Sequence, residues 1–517
     1  MLSRARILAV PMAIALLAAA CGKDRDQDAA TSSTAAATTS TDAAASPTSV
    51  ATDASSPATT ASSVESSGST ASTTAAGDTP ATDAAPTTEA PTQDAPMFGD
   101  APWPCGPGDG NNADDGSTPG VTKDSIRIAD GDDAGYAGSP GLNHEMTDAM
   151  NAMIAKCNEL GGINGRIISA DYYDAKLFEV GPAIQAACDS GAFFLVGEGW
   201  AFDANQEETR LACGLPAVPS YVTSPAFAHG KDMFVALPNP ADEASGGQYA
   251  QWATLFPDGV TKAVALVGAF TATQDSRDRA VAVSPQYGWK WNSSTIEYNP
   301  TGEADWTPFV KQIQEADAGI VYYSGGCLPN MQLFMQSAKA NGLDVPVLSD
   351  ANQGAKSCSD ANTDGAMDNL YIRINSVPLD EADAVPAVKD YVDLITASGG
   401  DTALLGTNAA SSFLLWATAA SECGATLTRE CTLANLADIH AWTGHGLHAT
   451  TDPGGNHPSS CGAILHLQGT SFERVVPTEP GTFECDPSWL AHIDPPTPAA
   501  AAAQLDDNRI SQQYTPG

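Results

Sequence analysis

Basic side chains are scarce in this sequence: 23 Lys and Arg stand against 62 Asp and Glu, a formal net charge of −39 over 517 residues. Binding to phosphate or anionic lipid depends on Lys and Arg displacing counterions, so nucleic acid and anionic membrane are excluded as partners. Beyond residue 21 no run of 18 or more apolar residues occurs, which argues against a membrane-spanning body. Aromatic residues are missing until Phe98. There is no C-x-x-C, P-loop, G-x-S-x-G or H-E-x-x-H; His144-Glu145 lacks the second His, and Gly197-x-Gly199 lacks the third Gly. Redox-dithiol, nucleotide-hydrolysing, nucleophile-elbow and zinc-protease chemistries therefore have no support. Carboxylates are so abundant that a chance pair is no sign of a glycosidase dyad.

What is present begins at the N-terminus. Arg4 and Arg6 precede an apolar run from Ile7 to Ala20, with small residues before Cys21. This is the pattern of a secretory signal peptide, too short to span a bilayer. Leu17-Ala18-Ala19-Ala20-Cys21 resembles the bacterial lipobox, although Ala18 stands where Leu is usual. The resemblance implies acylation of Cys21; an ordinary cleaved signal with an incidental Cys21 is the alternative. The following stretch to about residue 100 is almost entirely Ser, Thr, Ala, Pro and Asp. It cannot bury enough apolar surface to offset chain entropy and reads as a tether with a reach of roughly 45–50 Å.

Ten further cysteines follow Cys21, an even number that reads as up to five disulfides in an exported chain. Cys423 with Cys431 and Cys461 with Cys485 form plausible local loops, and Cys327 with Cys358 would tie two strand ends. Sequence alone leaves the connectivity open.

From residue 119 the pattern is strand–helix repetition. Residues 126–130 read as a strand and 143–160 as a helix, with Met146, Met150, Met153, Ile154, Cys157 and Leu160 on one stripe. Those methionines are expected in the core. Strands are expected at 166–173, 193–197, 216–219, 264–269, 319–324 and 345–350, and helices at 203–213, 306–315 and 330–341. Short apolar strands alternating with amphipathic helices imply an α/β protein whose parallel sheets are covered on both faces. Ligands of such sheets bind beyond the carboxyl ends of the strands, which directs attention to the loops 131–141, 197–203, 219–225, 268–277, 324–330 and 350–357.

Several segments in order carry a family likeness: Gly120-Val-Thr-Lys-Asp-Ser-Ile-Arg-Ile128, Gly161-Gly-Ile-Asn-Gly-Arg166, Ala192-Phe-Phe-Leu-Val-Gly197, Leu215-Pro-Ala-Val-Pro219, Asp305-Trp-Thr-Pro-Phe-Val-Lys-Gln-Ile313, Gly319-Ile-Val-Tyr-Tyr-Ser-Gly-Gly326 and Ala338-Lys-Ala-Asn-Gly-Leu343. Over about 120–480 the chain resembles the type I extracytoplasmic solute-binding proteins of the branched-chain amino-acid (leucine/isoleucine/valine-binding) transporter family. The resemblance implies two Rossmann-like lobes with parallel sheets joined by a three-crossover hinge, with crossovers near 237–243, 374–380 and 446–456. Implied boundaries are 1–20 for the signal peptide and 21–118 for the lipidated Cys and tether. Lobe 1 takes 119–240 plus 376–446, lobe 2 takes 241–375 plus 447–490, and 491–517 is a C-terminal tail.

The same resemblance implies a ligand site. In lobe 1, Glu198-Gly199-Trp200 and Thr223 would receive a carboxylate at a helix start, Tyr221 and Trp200 would wall an apolar pocket, and Ser139 lies in the first loop. In lobe 2, Thr273 falls where the family has a Tyr, and Tyr323 ends its strand. Asp350 and Asn352 stand where the leucine-binding member fixes the ammonium with a Glu. That departure leaves two possibilities: Asp350 serves from a shifted position, or no ammonium is bound. Thr223 also reads as a helix cap before Pro225, and Tyr323 as core.

Five histidines, His440, His445, His448, His457 and His466, lie close in sequence, but Gly444, Gly446, Gly454 and Gly455 break any shared helix face. The expectation is a lipid-anchored, monomeric substrate-binding protein of an ABC importer on the outer face of the cytoplasmic membrane. It captures a small amino-acid-like or amide-like solute for a permease by hinge closure, with no catalysis, cofactor or metal. The alternatives are a sensing receptor of the same fold and a secreted His-rich metal protein or hydrolase.

Overall fold

The computed structural model describes residues 96–505 apart from residue 115 and residues 351–355. Cys21 and Asn352 lie outside the described residues.

Lobe 1 is built on four parallel strands in the order Ile167–Asp174, Ser125–Asp132, Leu195–Val196, Ala217–Val218. Strand alternation sends Ile126 and Ile128 to one face and Ala129 to the other. The first face packs on His144–Glu159 through Met146, Met150 and Met153, so the methionine stripe is core. The helices Pro386–Ser398, Leu404–Ser421 and Arg429–Ala437 return to this face late in the chain. Leu404–Ser421 is buried almost all round, as expected of a helix rich in Ala, Leu, Phe and Trp with no charge. The second face is covered by Val180–Ser190, with Trp200 in the same cluster.

Lobe 2 has the strand order Ser471–Val476, Cys461–Gln468, Leu370–Ile374, Val347–Ser349, Ile320–Ser324, Ala263–Gly268, Trp291–Tyr298. The last five are mutually parallel, whereas Cys461–Gln468 and Ser471–Val476 form an antiparallel hairpin on the edge. Ile320–Ser324 shows the period-2 rule: Tyr322 joins the cluster containing Trp252 and Trp289, and Tyr323 joins that of Trp306 and Phe334 on the opposite face.

The crossings between lobes lie side by side. Val377 N–H donates to Leu447 O at 2.9 Å, Ala449 N–H to Asn375 O at 2.8 Å, and the Thr451 hydroxyl to Ala236 O at 2.7 Å.

Two boundaries differ from expectation. The span 96–118, assigned to the tether, is folded onto lobe 1: Met97–Phe98 pairs with Ala101–Pro102, Phe98 is fully buried, and Cys105 is bonded to Cys157. Phe98 and Trp103 bring the apolar surface that the Ser/Thr-rich stretch lacks. Residues 491–505 of the tail are also packed. Leu490–His492 pairs with Glu243–Ser245, Ile493 N–H donates to Asp242 O at 2.7 Å, and the helix Pro498–Ala502 rests on both Pro225–Ala228 of lobe 1 and Thr271–Val283 of lobe 2. The remaining disulfides join Cys188 to Cys213, Cys327 to Cys358, Cys423 to Cys431 and Cys461 to Cys485.

Candidate functional site

The carboxyl edge of lobe 1 is a set of aspartates that staple loops. Asp132 pairs with His144 Nδ1 at 2.8 Å and accepts from the Thr147 hydroxyl at 2.8 Å, from Ala134 N–H at 2.9 Å and from the Tyr172 hydroxyl. Asp133 accepts Leu177 N–H and Ala201 N–H, each at 2.8 Å, binding three loops together. Asp203 accepts Thr223 N–H at 2.6 Å and Ser224 N–H at 3.0 Å. Glu198 accepts Gln206 Nε2 at 2.6 Å, while its Oε2 and Asp130 Oδ1 are buried with no hydrogen-bond partner. Burial pushes Asp130 up to about 7, Glu198 to about 8 and Asp203 to about 6, since a low-dielectric site disfavours the charged form.

Around this acidic floor stand aromatic rings from the three loops that follow the strands, half-buried Tyr136 and exposed Phe178 and Phe202. Tyr136 meets Phe178 edge-on at 5.8 Å, and Phe178 stacks on Phe202 at 5.5 Å. Phe178 is 68% exposed and Phe202 36%. Large aromatic side chains left in solvent at a sheet's carboxyl edge are the surface a ligand would cover.

The corresponding edge of lobe 2 carries an ionic cluster. Arg373 Nε donates to Asp350 Oδ1 at 2.9 Å, the Ser276 hydroxyl to Asp350 Oδ2 at 3.2 Å, and the Ser276 and Tyr322 hydroxyls are 3.0 Å apart. A short chain of bonds joins the two edges: Asn239 Nδ2 donates to Val222 O at 3.3 Å, and Arg279 Nη2 donates to Asn239 Oδ1 at 3.1 Å.

The residues singled out by resemblance are distributed unevenly. Glu198, Gly199, Tyr221 and Thr223 come together: the Tyr221 hydroxyl donates to Gly199 O at 3.1 Å and accepts from Asn143 Nδ2 at 2.9 Å. The Thr223 hydroxyl donates to Ala201 O at 3.1 Å, so it braces a loop. Trp200 does not wall a pocket; it is fully buried in the lobe 1 core and donates to Tyr173 O at 3.2 Å. Ser139 is exposed in a turn. The Thr273 hydroxyl, in the first turn of the helix Thr271–Val283, donates back to Gly268 O at the end of the preceding strand, at 2.6 Å. Tyr323 is fully buried and bonded to the Tyr298 hydroxyl at 2.7 Å, which makes it core. Asp350 stands at the edge, already engaged. The aromatic trio, Asp203 and Arg373 were missed. Phe202 lies in a loop flagged by the strand-end rule, and Arg373 is the one charged residue in Leu370-Tyr-Ile-Arg-Ile374.

The five histidines separate. His440 pairs with Asp452 at 2.8 Å, His457 with Glu243 at 2.7 Å, His448 with the Ser411 hydroxyl at 2.8 Å, and His466 with Asp368 O at 2.5 Å, while His445 packs against Trp442. Burial lowers His448 to about 4 and also lowers His445. Among the described residues no three His, Cys, Asp or Glu side chains converge as metal ligands, and no helix is long and apolar enough to cross a membrane.

Two α/β lobes with adjoining strand edges and side-by-side crossings define a two-lobed solute-binding protein. The family profile described as periplasmic binding protein matches residues 132–471, and the chain belongs to that family. No curated relative matches the sequence. Among solved structures, it is similar to the leucine-binding protein LivK from Thermotoga maritima, at 15% identity, TM-score 0.56, and 72% and 99% coverage of this and that chain. It is also similar to LivJ of Streptococcus pneumoniae in complex with isoleucine, at 14% identity, TM-score 0.54, and 71% and 99% coverage. A solute-binding protein of an ABC transporter from R. palustris, in complex with 4-hydroxybenzoate, matches at 14% identity, TM-score 0.56, and 70% and 98% coverage.

Proposed function

We propose that this protein is the solute receptor of an ABC importer, exported and held at the outer face of the cytoplasmic membrane through acylated Cys21. The segment before residue 96 serves as tether, and the lobes divide near 240, 376 and 446. The observation that supports this reading is the meeting of two lobes at the carboxyl edges of their parallel strands, one lined by half-buried Tyr136 with exposed Phe178 and Phe202 and the other by Arg373 and Asp350. Capture needs only this: a cleft that closes about a hinge buries the solute and changes the surface offered to the permease. No bond is made or broken.

The relatives' ligands, isoleucine and 4-hydroxybenzoate, share a carboxylate and an apolar body. That combination fits an edge of aromatic rings facing an ionic edge. The exported chain is tested by a thermal-shift screen of amino acids, amides, and aromatic and aliphatic carboxylates. A ligand at 100 times its Kd stabilises by about 2.7 kcal/mol, and one class is expected to do so. A flat response from all classes would overturn the receptor reading. For the anchor, Cys21→Ala is expected to release the chain from the membrane fraction.

A further inference from the structure

In lobe 1, the Thr223 donors that the resemblance assigns to a ligand carboxylate are already consumed, and Gly199 N–H is bonded to Gly131 O at 3.0 Å. Thr223 N–H and Ser224 N–H both serve the Asp203 carboxylate, at 2.6 and 3.0 Å. The Thr223 hydroxyl serves Ala201 O at 3.1 Å, and the Ser220 hydroxyl serves Gly197 O. An internal carboxylate thus occupies the anion position of this loop. Buried Glu198 interacts with it, and Asp130, Asp132 and Asp133 are buried at the same edge. The cations nearby are spoken for: His144 on Asp132, Lys176 on Glu179 and Arg210 on Glu207.

Lobe 2 presents the opposite arrangement. Arg373 is the penultimate residue of its strand, near the carboxyl edge, with its side chain 33% exposed. Its Nε is fixed to Asp350, and both oxygens of Asp350 are engaged, by Arg373 at 2.9 Å and by the Ser276 hydroxyl at 3.2 Å. Asp350 therefore acts as a brace for the guanidinium and is not a vacant partner for an ammonium group. Neither Nη of Arg373 has a hydrogen-bond partner among the described residues. The neighbouring Arg279 has its own Nη groups on Pro240 O, Asn239 Oδ1 and Glu243 O, at 2.5, 3.1 and 2.8 Å. A guanidinium oriented through Nε and, among the described residues, unpartnered at both Nη is shaped for two-point recognition of a carboxylate.

We propose that Arg373 is the anion anchor of the cleft. Its ligand is a small monocarboxylate with an apolar or aromatic body and no required α-ammonium group. The carboxylate is bound on lobe 2 and the body is directed toward Tyr136, Phe178 and Phe202 of lobe 1. The assignment rests on the receptor reading and deepens it, placing the anion on the lobe opposite to the one the resemblance implied.

The test is calorimetry on the exported chain with benzoate, 4-hydroxybenzoate, hexanoate, benzamide and leucine, using wild type, Arg373→Gln and Arg373→Lys. Gln keeps a donor for Asp350, and an unchanged thermal midpoint shows that the fold survives. Expected is binding of at least one monocarboxylate by wild type, weakened about tenfold or more in Arg373→Gln and partly restored in Arg373→Lys, as for loss of a charge-assisted pair. Benzamide is expected to bind weakly and equally to all three. If leucine binds wild type and Arg373→Gln alike, the receptor reading stands and the Arg373 assignment falls. A carboxylate whose affinity ignores Arg373→Gln also removes the assignment. If the folded wild type retains no solute of any class, both fall.

Discussion

The Asp203 carboxylate accepts the backbone N–H of Thr223 at 2.6 Å, from a residue twenty positions away in sequence. With Ser224 N–H bonded to the same group, Asp203 sets the start of the helix Pro225–Ala228 and the loop before it. A side chain of the protein thus does at this edge what a ligand carboxylate would otherwise do.

Removing that brace should be costly, because Asp203 is buried and its partners would be left unpaired. Asp203→Ala is expected to destabilise lobe 1 by about 2–3 kcal/mol, with Asp203→Asn intermediate. Urea unfolding of the two variants checks this; a loss below about 0.5 kcal/mol for Ala would show the bonds to be incidental.

Asp130 and Glu198 predict a stability that falls as pH rises. Their folded values, about 7 and about 8, lie above the ordinary 3.8 and 4.5 because burial disfavours ionisation. The unfolded chain releases these protons first, so the stabilising difference is full below the ordinary values and is lost as pH climbs through the folded ones. His448, lowered to about 4 by burial, acts in the other direction below its ordinary 6.5. From pH 6.5 to 8 His448 no longer contributes, whereas His144, raised above 6.5 by its pairing with Asp132 against the effect of burial, falls in the same direction as the carboxyls, so the carboxyl variants separate the two. Each carboxyl contributes a slope of up to about 1.4 kcal/mol per pH unit. Thermal midpoints should fall across that window, and Asp130→Asn with Glu198→Gln should flatten the fall.

Phe178 is exposed and packs only at the aromatic rim, so its loss should separate binding from folding. Phe178→Ala is expected to change stability by less than about 0.5 kcal/mol, as at exposed sites. Affinity for the cognate solute should drop by about fivefold or more, the worth of a covered aromatic face. Paired denaturation and titration curves decide it; equal affinity would remove the rim from the site.

The C-terminal segment spans both lobes, and its base is on lobe 2. Leu490–His492 is paired to Glu243–Ser245, and the buried Thr497 hydroxyl donates to Asp275 Oδ1 at 2.5 Å, while the helix Pro498–Ala502 also touches Pro225–Ala228. Opening of the lobes has to break one of these contacts. Asp275→Ala is expected to raise hydrogen exchange in 497–502 and 225–228 while leaving 263–268 protected. No change in 225–228 would show that the segment does not hold the lobes together.

The strand–helix alternation was legible because its signals are local. The continuous apolar runs at 193–197, 264–269 and 319–324 and the methionine stripe of His144–Glu159 appear as periodicities within a dozen residues. The assignment of roles at the site was less legible. Tyr323 lies near a strand end and Trp200 in the loop after one, yet each turns into the core: Tyr323 because a strand residue's face depends on a register of two that resemblance across distant sequences does not preserve, and Trp200 because its loop folds back so that the indole meets Tyr173 O. That the folded body begins before residue 119 has a reason visible in composition: Phe98 and Trp103 are the first aromatics after a long stretch without any. The folding of the tail depends on Glu243–Ser245, a segment far away in the chain, and nothing local announces it.

By itself the sequence determined the acidity, the even set of body cysteines and the α/β class, all properties of composition and short-range pattern. Tertiary structure alone decided which carboxylate takes the Thr223 and Ser224 amides, and that Asp350 is spent on Arg373. Those are contacts between residues about twenty apart in the chain, formed only when separate strand ends are brought to one edge. The polarity of the cleft follows from which donors remain open after folding, and a list of residues does not contain that subtraction.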